Sequence, residues 1–119
     1  MIPEAGDIAW VEFDPVMGTE QAGRRPALIL SDRIYHEESR RAVVCPITSK
    51  VREWPFNVSL PSGLETEGVV LVDQIRTIDR SARMHGIIEA APAAVLREVR
   101  EKVAALLGTD IAAADGMDH

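Results

Sequence analysis

The hydrophobic period of this chain changes once, near Pro92. Up to that point apolar residues come in short pieces, alternating or continuous, separated by turn residues. Beyond it, Val95, Leu96, Val99, Val103, Leu106 and Leu107 recur at helical spacing. Gly6-Asp7 reads as a turn. The segment after it alternates, with Ile8, Trp10 and Glu12 on one side and Val11 and Phe13 on the other. Residues 27–31 and 42–47 read as short buried strands rich in branched side chains. Residues 55–60 alternate with Phe56, Val58 and Leu60 inward, and Pro61-Ser62-Gly63 is a turn. Residues 69–72 and 74–78 form two strands or one bent strand, and 84–88 a further short one. The polar stretch 32–41 has room for one helical turn. Pro92 suits the first turn of the final helix, Gly108 its C-terminal cap, and Glu98 and Lys102 stand four apart in the favoured order. Five to seven short strands followed by one amphipathic helix predict a mainly β fold: a small antiparallel β-barrel with helical cover.

With 119 residues, one domain is expected, spanning 1–108, followed by an acidic tail, 109–119, predicted to be disordered. The single cysteine, Cys45, has no internal disulfide partner and sits in an apolar run, which reads as a buried strand thiol, with a catalytic thiol the lesser alternative. No segment is apolar for long enough to predict a transmembrane helix, and the N-terminus lacks a signal-peptide pattern, so a cytoplasmic protein is expected. The net charge of −6 argues against a general nucleic-acid coat. The charge is uneven, however. No lysine or arginine precedes Arg24, and ten of the 13 basic residues lie between Arg24 and Arg83, so a local cationic site on an acidic protein is possible.

The stretch Gly18-Thr19-Glu20-Gln21-Ala22-Gly23-Arg24-Arg25-Pro26 carries the densest chemistry. Glycines near both ends allow tight bends, and a guanidinium fork suits phosphate. It reads as a polar arm that presents Glu20 and Arg25 to an anionic substrate, although Arg24 and Arg25 read equally well as a solvated charge pair. Thr48-Ser49-Lys50 closes a predicted strand with two hydroxyls and an ammonium, either an anion site or a turn. In Asp73-Gln74-Ile75-Arg76-Thr77-Ile78 the alternation puts Asp73 on one face and Gln74 on the other. Trp54, beside Pro55, is a base-stacking platform or a packing residue. His36, His85 and His119 are not at ligand spacing from one another or from Cys45, and no catalytic metal or cofactor is expected. There is no nucleophile elbow, Walker loop or dinucleotide glycine loop.

The order Gly6-Asp7, Trp10-Val11, Phe13-Asp14-Pro15, then Gly18 to Pro26 as quoted, Pro46-Ile47-Thr48-Ser49 and Asp73 to Ile78 resembles the MazF/PemK toxins of bacterial toxin–antitoxin systems. The resemblance runs from about Gly6 to Gly108, and the G-x-E-Q-x-G-x-R-P block is its most specific part. It implies a homodimeric, SH3-like β-barrel endoribonuclease that cuts single-stranded RNA at short sequences without metal. It makes Arg25 and Thr48 the catalytic pair, Glu20 a third member, and Asp73 and Gln74 base-recognising positions. Gln21, Arg24, Ser49, Lys50 and Trp54 complete the expected RNA-binding set. A cognate, MazE-like antitoxin is implied, laying an acidic flexible segment across Arg25. The route that fits is attack by the ribose 2′-OH on the adjacent phosphorus, giving a 2′,3′-cyclic phosphate and a 5′-OH. Two other readings remain: a CcdB-like gyrase poison, disfavoured because residues 115–119 hold no aromatic, and a homologue that binds RNA or antitoxin without cutting.

Overall fold

The computed structural model describes residues 2–15, 18–50 and 53–109. Seven strands are present: β1 (Asp7–Glu12), β2 (Arg24–Ile29), β3 (Arg41–Thr48), β4 (Asn57–Ser59), β5 (Val69–Leu71), β6 (Arg76–Asp79) and β7 (Met84–Ala90). Helix α1 (Arg33–Glu38) links β2 to β3, α2 (Arg80–Arg83) links β6 to β7, and α3 (Ala93–Leu107) ends the described chain. All pairings are antiparallel, in the order β4-β5-β3-β2-β1-β7 with β6 also on β3.

Strand alternation divides the apolar residues between two small cores. Ile8, Leu28 and Cys45 stand level across β1, β2 and β3, and with Ile47, Val58, Val70 and Val72 they pack under Val95 and Val99 of α3. The intervening residues Ala9, Val11, Ala27, Ile29, Ala42 and Val44 face the other way and close around Phe13 and Ile78. Val58 is buried, with Phe56 and Leu60 packed against the first core, as their alternation predicts. The sheet does not close into the expected barrel: among the described residues β4 and β7 end the path and do not pair with each other. The strands that would complete closure, β4 and β5, have three residues each, and α3 covers that side instead.

The edge of β3 shared by β5 and β6 shapes the site. Its first half, Arg41–Val44, pairs with β6, and Ile47-Thr48 pair with β5. Between Val44↔Arg76 and Ile47↔Val70 the register slips by three residues, and a 3-10 turn, Val72–Gln74, takes up the excess. Pro46, in the gap, has no N–H to donate to either neighbour. Asp73 and Gln74 therefore project from a turn, which corrects the alternating strand expected across 73–78. The alternation is real only in β6.

The final helix matches its predicted limits. Pro92 precedes it, and Gly108 caps it at φ 72°, its N–H meeting the Ala104 and Ala105 carbonyls. Lys102 lies 3.8 Å from Glu98 and donates to the Pro55 and Asn57 carbonyls at 2.6 and 3.1 Å, tying α3 to the start of β4. The helical period overshoots the sheet: Leu106 and Leu107 remain exposed, Leu107 at 63%. Thr109, expected in the tail, bonds back to the Ala104 carbonyl, and the rest of that tail, from residue 110, lies outside the described residues. His36 is a buried structural residue. Its Nδ1 donates to the Pro3 carbonyl at 2.7 Å, and its Nε2 shares a hydrogen bond with the Ser31 hydroxyl at 2.6 Å.

Candidate functional site

Arg24 and Arg25 belong to β2, which extends the predicted strand back through Pro26. They pair with Glu12 and Val11 of β1, and their side chains leave opposite faces. The arm before them, residues 18–23, is pinned at its base. Phe13 N–H donates to the Gly23 carbonyl, and Gly23 N–H donates to Asp14 Oδ1, both at 3.0 Å. Arg83 Nη1 ties the other side by donating to the Glu12 and Asp14 carbonyls. Gly23 sits at φ 78° with open space where a Cβ would be, so the backbone conformation, not crowding, calls for glycine.

Three clefts border the arm and the start of β2. The first, roughly 470 Å³, is walled by Gln21, Thr48, Lys50, Trp54, Asp73 and Gln74, among others. The second, roughly 380 Å³, holds Arg25 and Ser49 with Trp10, Glu65, Thr66 and Glu67. The third, roughly 200 Å³, holds Glu20 between Phe13, Pro46 and Arg76, and shares Gln21, Asp73 and Gln74 with the first. Arg76 lies 5.7 Å over the Phe13 ring and closes the floor there.

The pairing of β2 with β3 runs Ile29↔Val44, Leu28↔Cys45, Ala27↔Pro46. The pairing ends there, two residues short of Arg25 and Thr48, so the two stand just beyond the paired ends of β2 and β3. Thr48 lines the first cleft, and Arg25 lines the second together with Ser49, the residue after Thr48. Arg25 Nε donates to the Ala22 carbonyl at 3.0 Å, which ties the guanidinium to the arm. Thr48, 6% exposed, accepts at Oγ1 from the Lys50 N–H at 3.2 Å. Gln21 N–H donates to Gln74 Oε1 at 2.9 Å, and Trp54 Nε1 donates to Asp73 Oδ2 at 2.9 Å. Trp54 is 51% exposed and tilted against Phe56, so packing on one face leaves the other toward the cleft.

The first cleft thus gathers Gln21, Thr48, Lys50, Trp54, Asp73 and Gln74 of the predicted set. Arg25 and Ser49 stand in the second, Glu20 in the third, and Arg24 in none of them. The second cleft is also walled by Trp10 and by the turn Glu65-Thr66-Glu67, and that turn has no signature in sequence, since only folding brings it to Arg25. Cys45 is fully buried, and burial, reinforced by the Asp73 charge, pushes its thiol up to about 12, which removes it as a nucleophile. Among the described residues no group of three or more His, Cys, Asp or Glu is arranged to hold a metal ion.

Residues 4–107 match the family model of the PemK-like, MazF-like toxin of type II toxin–antitoxin systems. The chain belongs to this family. It is 44% identical over 82 residues to the endoribonuclease toxin MazF of Escherichia coli K12, covering 69% of this chain and 73% of that protein. The crystal structure of MazF from Deinococcus radiodurans superposes with a TM-score of 0.87 at 44% identity, covering 91% of this chain and 98% of the other. A MazE–MazF structure from the same organism matches with a TM-score of 0.80 at 40% identity, covering 92% and 99%. The MazF/PemK fold is therefore the fold of this chain. No helix among the described residues is long and apolar enough to cross a membrane.

Proposed function

We propose that this MazF/PemK-family chain is the endoribonuclease toxin of a toxin–antitoxin pair, cutting single-stranded RNA at a short sequence through the RNA's own 2′-OH, without metal, in the cytoplasm. The observation that supports the reading is the pair of clefts beside the ends of β2 and β3, one lined by Arg25 and Ser49 and the other by Thr48 and Lys50. A phosphate bound across these two clefts faces both a guanidinium and a hydroxyl.

In the reaction, the 2′-oxygen bonds to phosphorus and the bond from phosphorus to the 5′-oxygen breaks. Glu20 takes or relays the 2′-OH proton. Arg25 stabilises the phosphorane, and Thr48 donates to a non-bridging oxygen. The departing 5′-oxygen takes a proton from water and leaves as a 5′-OH, and Glu20 returns the proton it took to solvent. Gln21, Asp73 and Gln74 contact bases, Trp54 stacks on one, and Arg24, Ser49 and Lys50 hold flanking phosphates. Single strands are preferred because a duplex holds both base edges and backbone away from such a cleft. The working unit is a homodimer. Its inhibitor is a MazE-like antitoxin whose acidic flexible segment competes with phosphate for Arg25.

The test is incubation of the purified protein with a long unstructured RNA in EDTA. Discrete fragments with 5′-OH and 2′,3′-cyclic phosphate ends are expected, and a deoxyribose on the 5′ side of the cut should abolish them. Intact RNA, or cutting of the deoxy-substituted strand, overturns the reading; inhibition of DNA supercoiling without fragments points to a gyrase poison.

A further inference from the structure

The turn that walls the Arg25 cleft is held by a residue far from every motif. Glu89, in β7, receives three donors from it: Glu65 N–H on Oε1 at 3.1 Å, and Thr66 N–H and the Thr66 hydroxyl on Oε2, both at 2.8 Å. Thr66 is itself buried. Two residues on, Gly68 presses so closely on β3 that a Cβ there would lie 2.0 Å from the Thr48 carbonyl oxygen, and Val69 then registers with Thr48. One carboxylate therefore anchors a segment that shapes the Arg25 cleft through residues 65–67 and bears on the Thr48 backbone through Gly68.

We propose that Glu89 is a positioning residue for cleavage, setting the separation of the Arg25 and Thr48 groups through the turn at residues 65–68. The inference rests on the cleavage reading above. Glu89 lines none of the three clefts bordering the arm and the start of β2. Its effect should therefore appear in the chemical step and leave substrate binding alone. Misplacing reacting groups by an ångström from a distance costs up to ~10²-fold.

Glu89→Gln keeps one acceptor oxygen but turns the other into an amino group that cannot accept from Thr66. Single-turnover cleavage of a short fluorescent RNA should slow by about tenfold or more, with KM within about twofold of wild type and the circular dichroism spectrum retained. Thr66→Val, which removes one of the three donors and leaves the carboxylate, should slow cleavage less, again at constant KM. It stands in if Glu89→Gln fails to fold. In the double variant the losses should fall well short of additive, because both act through one clamp. A Glu89→Gln protein with a lower Tm but wild-type cleavage rate overturns the proposal, as does full additivity. Arg25→Ala separates the two claims. If it is inactive while Glu89→Gln cuts normally, only the positioning role fails; if Arg25→Ala cuts normally, the cleavage reading fails with it.

Discussion

The backbone N–H of Gln21 donates to the side-chain oxygen of Gln74 at 2.9 Å, joining the arm to the 3-10 turn across 53 positions of sequence. Only an oxygen can accept from that N–H, so the amide orientation of Gln74 is settled and its amino group is the half left to meet a base. Gln74→Glu keeps the bond to Gln21 and exchanges that donor for an acceptor. One position of the cleavage motif should then shift toward bases that offer an exocyclic amino group, with a rate loss of about tenfold from phosphate repulsion. End-mapping of a digested long RNA reads this directly, and an unchanged motif would show that Gln74 touches no base.

Removing either the Arg25 guanidinium or the Thr48 hydroxyl should stop the chemistry without unfolding the chain. Arg25→Ala should lose about 10³-fold in cleavage rate, and Thr48→Val, which keeps the branched shape in the strand, about 10²-fold. Both variants should retain the wild-type thermal midpoint to within a few degrees. Cleavage at the wild-type rate by Arg25→Ala would reject the role given to it.

Gly68 tolerates no side chain. Its φ is 122°, and a Cβ would meet the Thr48 carbonyl at 2.0 Å, an atom of backbone that cannot swing aside. Gly68→Ala should destabilise the fold by about 2–3 kcal/mol or more, measured as a lower denaturant midpoint. It should also cost activity in whatever fraction remains folded, because Thr48 is what must move.

Cys45 sets a limit at high pH. Its thiol ionises at about 12 in the folded protein but in the ordinary range once unfolded. Above pH ~9 the unfolded chain therefore releases a proton that the folded chain keeps, and stability falls by up to about 1.4 kcal/mol per pH unit. Cys45→Ala should flatten that slope in urea titrations at pH 9 to 11. At pH 8 the native thiol should resist a disulfide reagent until denaturant is added.

Acid should act on the clamp. Partial desolvation opposes the charged form of Glu89, yet the Thr66 hydroxyl and the backbone N–H groups of Thr66 and Glu65 outweigh it and hold the carboxyl below the ordinary glutamate value. The stabilisation is complete above the ordinary range and is lost as pH falls through the folded-state value. The acid limb of the thermal midpoint should accordingly be shallower in Glu89→Gln than in wild type.

What the sequence discloses follows the range of the forces involved. Ile8 to Phe13, Phe56 to Leu60 and the helix from Pro92 to Gly108 are legible because neighbours in sequence carry the whole pattern. The arm is legible because its glycines, carboxylate and guanidinium groups are contiguous. Asp73 to Ile78 misleads, since a 3-10 turn followed by a strand mimics six alternating residues, and the three-residue slip along β3 that forces the turn depends on partners elsewhere. Leu106 and Leu107 mislead for a related reason: the helix keeps its period after the sheet beneath it has ended. The bond from Trp54 to Asp73 and the carboxylate of Glu89 under Thr66 leave no trace in local composition.

The position of β3, paired with β2 along one side and with β5 and β6 along the other, has a consequence for a cell that makes this protein. Thr48 acquires its neighbours only when chain from both halves of the protein has been laid against that one strand. A nascent polypeptide on the ribosome carries the residues of the site with nothing to aim them. Their arrangement around Thr48 is complete only once β5 and β6 have been made and laid against β3.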